Sequence, residues 1–417
     1  KHEMMKRAQA DKHQGPGFIL RNRNFSLFLL ARISTALAYQ MMSVAVGWQM
    51  YELTKSTFYL GLVGLMQFLP MLLLTLPAGN ISDRFNRKTV IRVCQTVETA
   101  GFLLLAAGSF AGWINKESLL VIVFLIGATR AFESPSMQAL LPQLVAPEVF
   151  PQAVALSTST FQTATIIGPA LGGVLFVFGP GLVFTCVGAL YFAALVILGF
   201  VATKSAAASR EPVSLSSMLA GLRFIYNRKA VLGAISLDLF AVLFGGATAL
   251  LPVYAKEILA IGPAGLGVLR ATPAAGSLLM SLYLARKPLK RGVGRTMFIA
   301  VVVFGLATIV FAVSRSFALS LAALAVLGIA DTISMVVRGS LVQLQTPDEM
   351  RGRVSSVNYL FIGTSNQLGE FESGITASWF GVVPAVVIGG IGTVVVALAW
   401  MGLFPSLRKM DSLDNPA

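Results

Sequence analysis

Arg130, Glu133, Asp238, Asp331, Glu370 and Glu372 stand inside stretches of sequence that are otherwise apolar. A charge at the centre of a bilayer costs at least about 2.5–3.5 kcal/mol, so each should be paired, solvated or functional. A carboxyl group held out of bulk water can load and release a proton. Glu133, Asp238, Asp331 and Glu370 are therefore candidate proton-coupling residues. Arg130 and Glu133 lie three residues apart on one helical face, so a structural ion pair across one turn is the alternative for them. Other chemistry lacks its residues. His2 and His13 both lie in the N-terminal tail, so a zinc site or a Ser-His-Asp triad within the apolar region has no histidine to use. Cys94 and Cys186 lie inside apolar segments and suggest neither a disulfide framework nor metal spacing. The expectation is a protein that is not an enzyme, without catalytic residues, metal or cofactor.

The elements that must position these charges are membrane helices. The chain has 417 residues, of which 56% are hydrophobic and 12% charged, with a mean hydropathy of +0.77. Soluble domains run nearer ~45–50% and ~25%. A spanning helix needs roughly 20 apolar residues, and the pattern reads as twelve spans, the first at 25–51 and the last at 381–404. The expected organisation is a tail at 1–24, six spans at 25–203, a linker at 204–229, six spans at 230–404 and a tail at 405–417. Within the linker, Leu215, Met218, Leu219, Leu222 and Ile225 recur at three- and four-residue steps, which predicts a short amphipathic surface helix with Ser214 as N-cap.

The net charge of +14 would suggest nucleic acid in a soluble protein, but its location points elsewhere. Basic residues crowd the tails and alternate loops, as in Arg84, Arg87 and Lys88, or Arg286 to Arg295. The intervening loops hold only Lys55, Lys116, Lys256 and Arg315. This positive-inside pattern puts both termini in the cytoplasm. The implied surroundings are a lipid bilayer, with no nucleic-acid partner. Ala36-Leu37-Ala38 resembles a signal-peptide cleavage site, but Arg32 interrupts the apolar run and the segment continues through Trp48.

The two halves are weakly similar. LLPQLVAPEVFPQAVAL at 140–156 parallels SLVQLQTPDEMRGRVSSV at 340–357, as in duplicated transporters. Between spans two and three lies Gly79-Asn-Ile-Ser-Asp83-Arg84-Phe-Asn-Arg87-Lys88. Gly79 would let the helix end there, and Arg84, Arg87 and Lys88 would anchor the loop at lipid headgroups. Span five carries Gly168-Pro169-Ala170-Leu171-Gly172-Gly173, small residues that let helix backbones approach closely, either as a packing seam or as a gating element.

The loop motif resembles the signature of the major facilitator superfamily, and the resemblance extends over roughly residues 18–407. It implies an all-α membrane protein of twelve transmembrane helices in two pseudo-symmetric six-helix bundles, working by alternating access. It implies gating roles for Gly79, Asp83, Arg84, Arg87 and Lys88, with Asp83 binding the cytoplasmic end of span eleven. Gly168, Pro169, Gly172 and Gly173 resemble the antiporter motif of proton-driven exporters, with Ala164 where that motif has a glycine. WQMYELTKSTFYLGL, MLAGLRFIYNRKAVLG and QTPDEMRGRVSSV resemble the drug and siderophore exporter branch, which includes enterobactin and macrolide efflux proteins.

In that superfamily spans one, four, seven and ten line the cavity, which would place Arg130, Glu133, Asp238 and Asp331 there. Gln40, Trp48, Phe361 and Gln367 are further candidate substrate contacts, or ordinary packing residues. Arg32, Arg92, Arg270 and Arg338 lie nearer the span ends, where they can snorkel, and are expected to be structural. The functional expectation is a monomeric, proton-coupled exporter of small amphipathic molecules such as siderophores or drugs, in a bacterial inner membrane. The alternative is a lipid or lysophospholipid flippase of the same fold.

Overall fold

The computed structural model describes residues 19–202, 215–289 and 291–412. Twelve long helices run through the described residues: α1 (Arg23–Thr54), α2 (Thr57–Arg84), α3 (Arg87–Ala111), α4 (Lys116–Leu140), α5 (Phe150–Phe176), α6 (Pro180–Gly199), α7 (Lys229–Ile258), α8 (Gly262–Arg286), α9 (Val293–Val313), α10 (Phe317–Leu344), α11 (Asp348–Phe380) and α12 (Val382–Leu403). Their ends carry ordinary stop and start chemistry. Asn22 caps α1 by accepting from the backbone N–H of Asn24 and Phe25. α3 stops at Gly112, whose φ of 75° is open to glycine. Asn115 and Ser118 form a capping box at the start of α4.

Ten of the twelve are long and apolar enough to cross a membrane by themselves. α5 and α11 fall outside that set, and they occupy equivalent positions in the two halves. Both are richer in hydroxyl, amide or acidic residues, and both pack against the other lobe rather than against lipid alone.

Packing repeats with a shift of six helices. α1 packs on α5 and α6, α2 on α4, and α3 on α4 and α6. α7 packs on α11 and α12, α8 on α10, and α9 on α10 and α12. The two lobes meet along α2–α11 and α5–α8, contacts that a two-fold axis exchanges. Twelve helices in two pseudo-symmetric six-helix bundles is the observed architecture.

The cores show how the lobes are disposed. At the end away from the termini, Met41, Val44 and Tyr51 of α1 share one core with Leu250, Leu251 and Tyr254 of α7. At the terminal end the lobes keep separate cores, around Phe25, Phe28 and Ile91 in one, and Met297, Phe298 and Leu341 in the other. The lobes are therefore shut against each other at the far face.

α7 is not continuous. It breaks at Gly245 and Gly246, passes through a 3-10 turn at Ala247–Leu250, and ends in a π-helical turn at Tyr254–Ile258. Gly246 is required there, since a Cβ would lie 2.2 Å from the carbonyl oxygen of Gly369. The surface helix forms at Leu215–Asn227. Gly221 and Ile225 dock on α11 while Leu219, Leu222 and Tyr226 stay exposed. The cap expected at Ser214 and the tail residues 1–18 and 413–417 lie outside the described residues.

Candidate functional site

Between the lobes, α1, α2, α7, α8 and α11 enclose a cavity of about 180 Å³. Its polar lining is Tyr39, Gln40, Ser43, Gln67, Arg270, Asn366, Gln367 and Glu370, set among Met42, Val46, Leu60 and Val63. Tyr39 donates to Gln67 Oε1 at 3.0 Å, and Gln40 reaches Thr165 Oγ1 at 3.3 Å. Arg270 of α8 and Glu370 of α11 form an ion pair at 3.8 Å. The buried Oε1 of Gln367 has no partner. The break in α7 supplies Ala249 and Pro252, an irregular backbone placed where it lines a cavity. Apolar walls with a few convergent polar groups and one paired charge suit an amphipathic ligand.

The cavity is roofed at the far face by contacts across the lobes. Glu52 of α1 pairs with Lys256 of α7, and Tyr51 donates to Glu257. Lys256 also stands 5.5 Å over the ring of Trp48. Two glycine pairs bring the seams together: a Cβ on Gly374 would lie 2.5 Å from the Gly61 Cα, and one on Gly173 would lie 2.9 Å from the Gly267 Cα. Small residues at these four positions allow closure without lipid between the helices.

A second hollow, about 90 Å³, lies within the first lobe, lined by Arg32, Thr35, Tyr39, Arg130, Glu133 and Phe161 among others. The Arg130 guanidinium sits 3.6 Å from the Tyr39 ring centroid, a close cation–π contact. Gln95 of α3 donates to Glu133 at 3.1 Å and to Thr35 at 3.4 Å. One turn further along α3, Glu98 accepts from Thr129 at 2.7 Å.

In the second lobe, Asp238 of α7 and Arg338 of α10 form a buried ion pair. Asp331 and Asp238 border a hollow of about 10 Å³ between α7, α9 and α10, room for about one water.

Comparison with known proteins decides the family. The family model described as transmembrane secretion effector matches residues 16–417. The chain belongs to that family, a branch of the major facilitator superfamily. It is 27% identical over 392 residues to the enterobactin exporter of Citrobacter koseri, covering 92% of each chain. It is 25% identical over 391 residues to the enterobactin exporter of Salmonella typhimurium, covering 92% of this chain and 93% of that one. Among solved structures, a bacterial homologue of the human lysosomal transporter Spinster, inward-facing and occupied, superposes with a TM-score of 0.73 at 15% identity, covering 91% and 96%. A D323A mutant of the nucleoside transporter NupG gives 0.71 at 17%, covering 92% and 100%. At those identities the structural likeness speaks for the fold alone. The protein is a multi-pass membrane transporter.

The major facilitator frame allows each expected site residue to be placed. Gln40, Gln367 and Glu370 line the interlobe cavity. Arg130 and Glu133 border the first-lobe hollow. Asp238 and Asp331 do not reach the interlobe cavity, because α7 and α10 turn them toward each other inside the second lobe. Trp48 is buried in the far-face core, its ring centroid 6.4 Å from that of Phe176. Phe361 packs against the cluster around Ile225, Val354 and Val357, beneath the surface helix. Both aromatic residues are packing elements, not cavity contacts.

The arginines depart from expectation as well. Arg270 lines the interlobe cavity, Arg32 lines the first-lobe hollow, and Arg338 is buried against Asp238. None of the three reaches for a headgroup as a snorkelling side chain would.

The signature segment is mostly helix. α2 continues through Gly79 to Arg84, so the helix does not end at that glycine. The side chains of Gly79, Asp83 and Arg84, and with them the expected contact of Asp83 with α11, lie outside the described residues. Arg87 donates to the Ala139 carbonyl at 2.9 Å, and Lys88 to those of Gly199 and Val201 at 2.8 and 2.7 Å. These cations satisfy carbonyls at the ends of α4 and α6. Gly168 and Gly172 press α5 onto Gln40 and Met41 of α1, while Gly173 meets Gly267 across the lobes. The glycine motif is thus a packing seam on one side and an interlobe contact on the other.

Glu98, Gln95, Tyr39 and Gln67 escaped the sequence reading. Glu98 carried the same signal as Glu133, an acid at the middle of an apolar span.

Proposed function

We propose that this transporter is a proton-coupled exporter of small amphipathic molecules, working by alternating access with both termini in the cytoplasm of a bacterial inner membrane. The observation that carries the reading is the Arg270–Glu370 pair, set in a cavity between two lobes that are shut at one face. Glu370 is the group on which cargo and proton compete. Ionised, it holds a cationic or hydrogen-bond-donating part of the cargo. A proton arriving from the outer side removes that hold and leaves Arg270 to balance the cavity. Gln40, Asn366 and Gln367 orient the polar parts of the cargo, and Met42, Val46 and Val63 cover its apolar face. One proton moving down ~100 mV and one pH unit supplies roughly 2.3 plus 1.4 kcal/mol, enough for a cargo gradient of two to three decades.

The test is transport in proteoliposomes with an imposed pH gradient, using enterobactin and a fluorescent drug as probes. A gradient should accelerate export of at least one probe, and Glu370→Gln should abolish that acceleration. Unchanged proton flux on adding every probe would overturn the coupling.

A groove on the α5–α8 seam favours a second reading, a lipid or lysophospholipid flippase. It is open and apolar, about 440 Å³, and lined by Ile167, Leu171, Val174, Val268 and Ala271 among others. Such a groove would give an acyl chain lateral access between the lobes. Lysophospholipid movement at equal rate with and without a pH gradient would select this reading over the first.

A further inference from the structure

Glu98 takes no part in the interlobe cavity, yet it is fully buried near the middle of α3. Its Oε1 accepts from Thr129, and its Oε2 is buried with no partner. On the preceding turn, the Oε1 of Gln95 is also buried and unpartnered, while the Nε2 of Gln95 is committed to Glu133 and Thr35. From α6, the Tyr191 hydroxyl is buried without a partner too. The ring of Tyr191 is fully buried and stacked 5.7 Å from that of Phe102. Glu98 Oε2 and Gln95 Oε1 are acceptors only, and a buried, ionised carboxylate served by one neutral hydroxyl is not tolerable. A proton on Glu98 removes the buried charge and turns its Oε2 from an acceptor into a donor.

The surroundings place this acid one helical turn from the first-lobe hollow. Gln95 and Glu98 of α3 face Glu133 and Thr129 of α4 as two rungs, Gln95–Glu133 and Glu98–Thr129. The rungs are one helical turn apart, about 5.4 Å. Glu133 borders the first-lobe hollow. The charged and titratable groups facing Glu98 are Glu133 and Arg130 from α4, Tyr191 from α6 and Cys94 on its own helix, with Arg32 of α1 beyond Glu133.

We propose that Glu98 is a proton-binding residue of the first lobe, protonated when the far face is shut, and that it exchanges its proton with the hollow through Glu133. In the exchange the proton leaves Oε2 of Glu98 for a carboxylate oxygen of Glu133. The charge of the pair is unchanged, and Glu133 then releases the proton to water beside Arg32 and Arg130. The site is separate from Glu370, though its use in transport rests on the proton-coupled reading.

Infrared spectroscopy of the full-length protein in lipid nanodiscs tests the binding without any cargo. At neutral pH the unaltered protein should show a protonated-carboxyl C=O band that Glu98→Gln removes and Glu98→Asp only shifts. Glu98→Gln keeps the size of the side chain and is neutral, as the protonated acid is, so the fold should persist. Identical carboxyl bands in the unaltered protein and Glu98→Gln would overturn the proposal. With enterobactin in proteoliposomes, Glu98→Gln should lose acceleration by a pH gradient and retain gradient-free exchange. Full acceleration in Glu98→Gln would also overturn it. If the unaltered protein is accelerated with neither enterobactin nor the fluorescent drug, the proton-coupled reading fails, and the infrared band still decides whether Glu98 holds a proton.

Discussion

Arg32 stands as far into α1 as Asp238 stands into α7, and the two helices are equivalent in the repeat. One is a cation beside a hollow of about 90 Å³, and the other is an anion sealed against Arg338. The polarity is reversed as well: the first lobe sets an α1 cation near an α4 acid, the second an α7 acid against an α10 cation. The same helix contacts thus support two uses of buried charge. In the first lobe the charges border a hollow. In the second they are locked, which fixes α7 to α10 beside the break in α7. A duplicated scaffold thus carries one set of buried charges beside a hollow and another sealed in an ion pair.

The largest effect should come from breaking the lock. Arg338→Ala leaves Asp238 buried and unpaired and should cost about 3–5 kcal/mol. Thermal unfolding of the detergent-purified protein reads this, and the double change Asp238→Leu with Arg338→Met should recover most of the loss. Arg130→Ala, beside a hollow, should cost less stability than Arg338→Ala, while transport falls far more. If the two arginines cost the same in stability, the contrast between lobes is wrong.

Next comes the roof that both lobes share. Gly374→Ala drives a methyl into Gly61 and should cost the shut state about 1–3 kcal/mol. Spin labels at the exposed Phe58 and Trp379 should then report a longer separation. The smallest effect is expected at Asp331, where the hollow holds about one water. Asp331→Asn should change stability by less than about 1 kcal/mol and leave the pH dependence of transport as it was. A shifted pH profile would move the second lobe into the proton path.

Part of the site was legible because membrane burial penalises charge so heavily. Glu133 and Glu370 stood out in apolar sequence, and both border hollows. Arg338 kept its expected structural role but, like Arg270, not its expected position, because distance from a span end does not say which way a long side chain turns. Trp48 and Phe361 looked like cavity aromatics, since sequence cannot tell the face toward the path from the face toward a neighbouring helix. The break in α7 at Gly245 and Gly246 carried a weak sign, two adjacent glycines. Its cause lies on another helix, at the carbonyl of Gly369.

The sequence by itself determined that this chain spans a membrane many times and is built twice over, because the bilayer filters apolar length and internal similarity survives in order. Tertiary structure alone decided which charges meet. Pairing in a membrane protein depends on helix rotation and lobe position, set by glycine contacts between segments far apart in the chain, and a change of one residue in facing turns a partner into a wall.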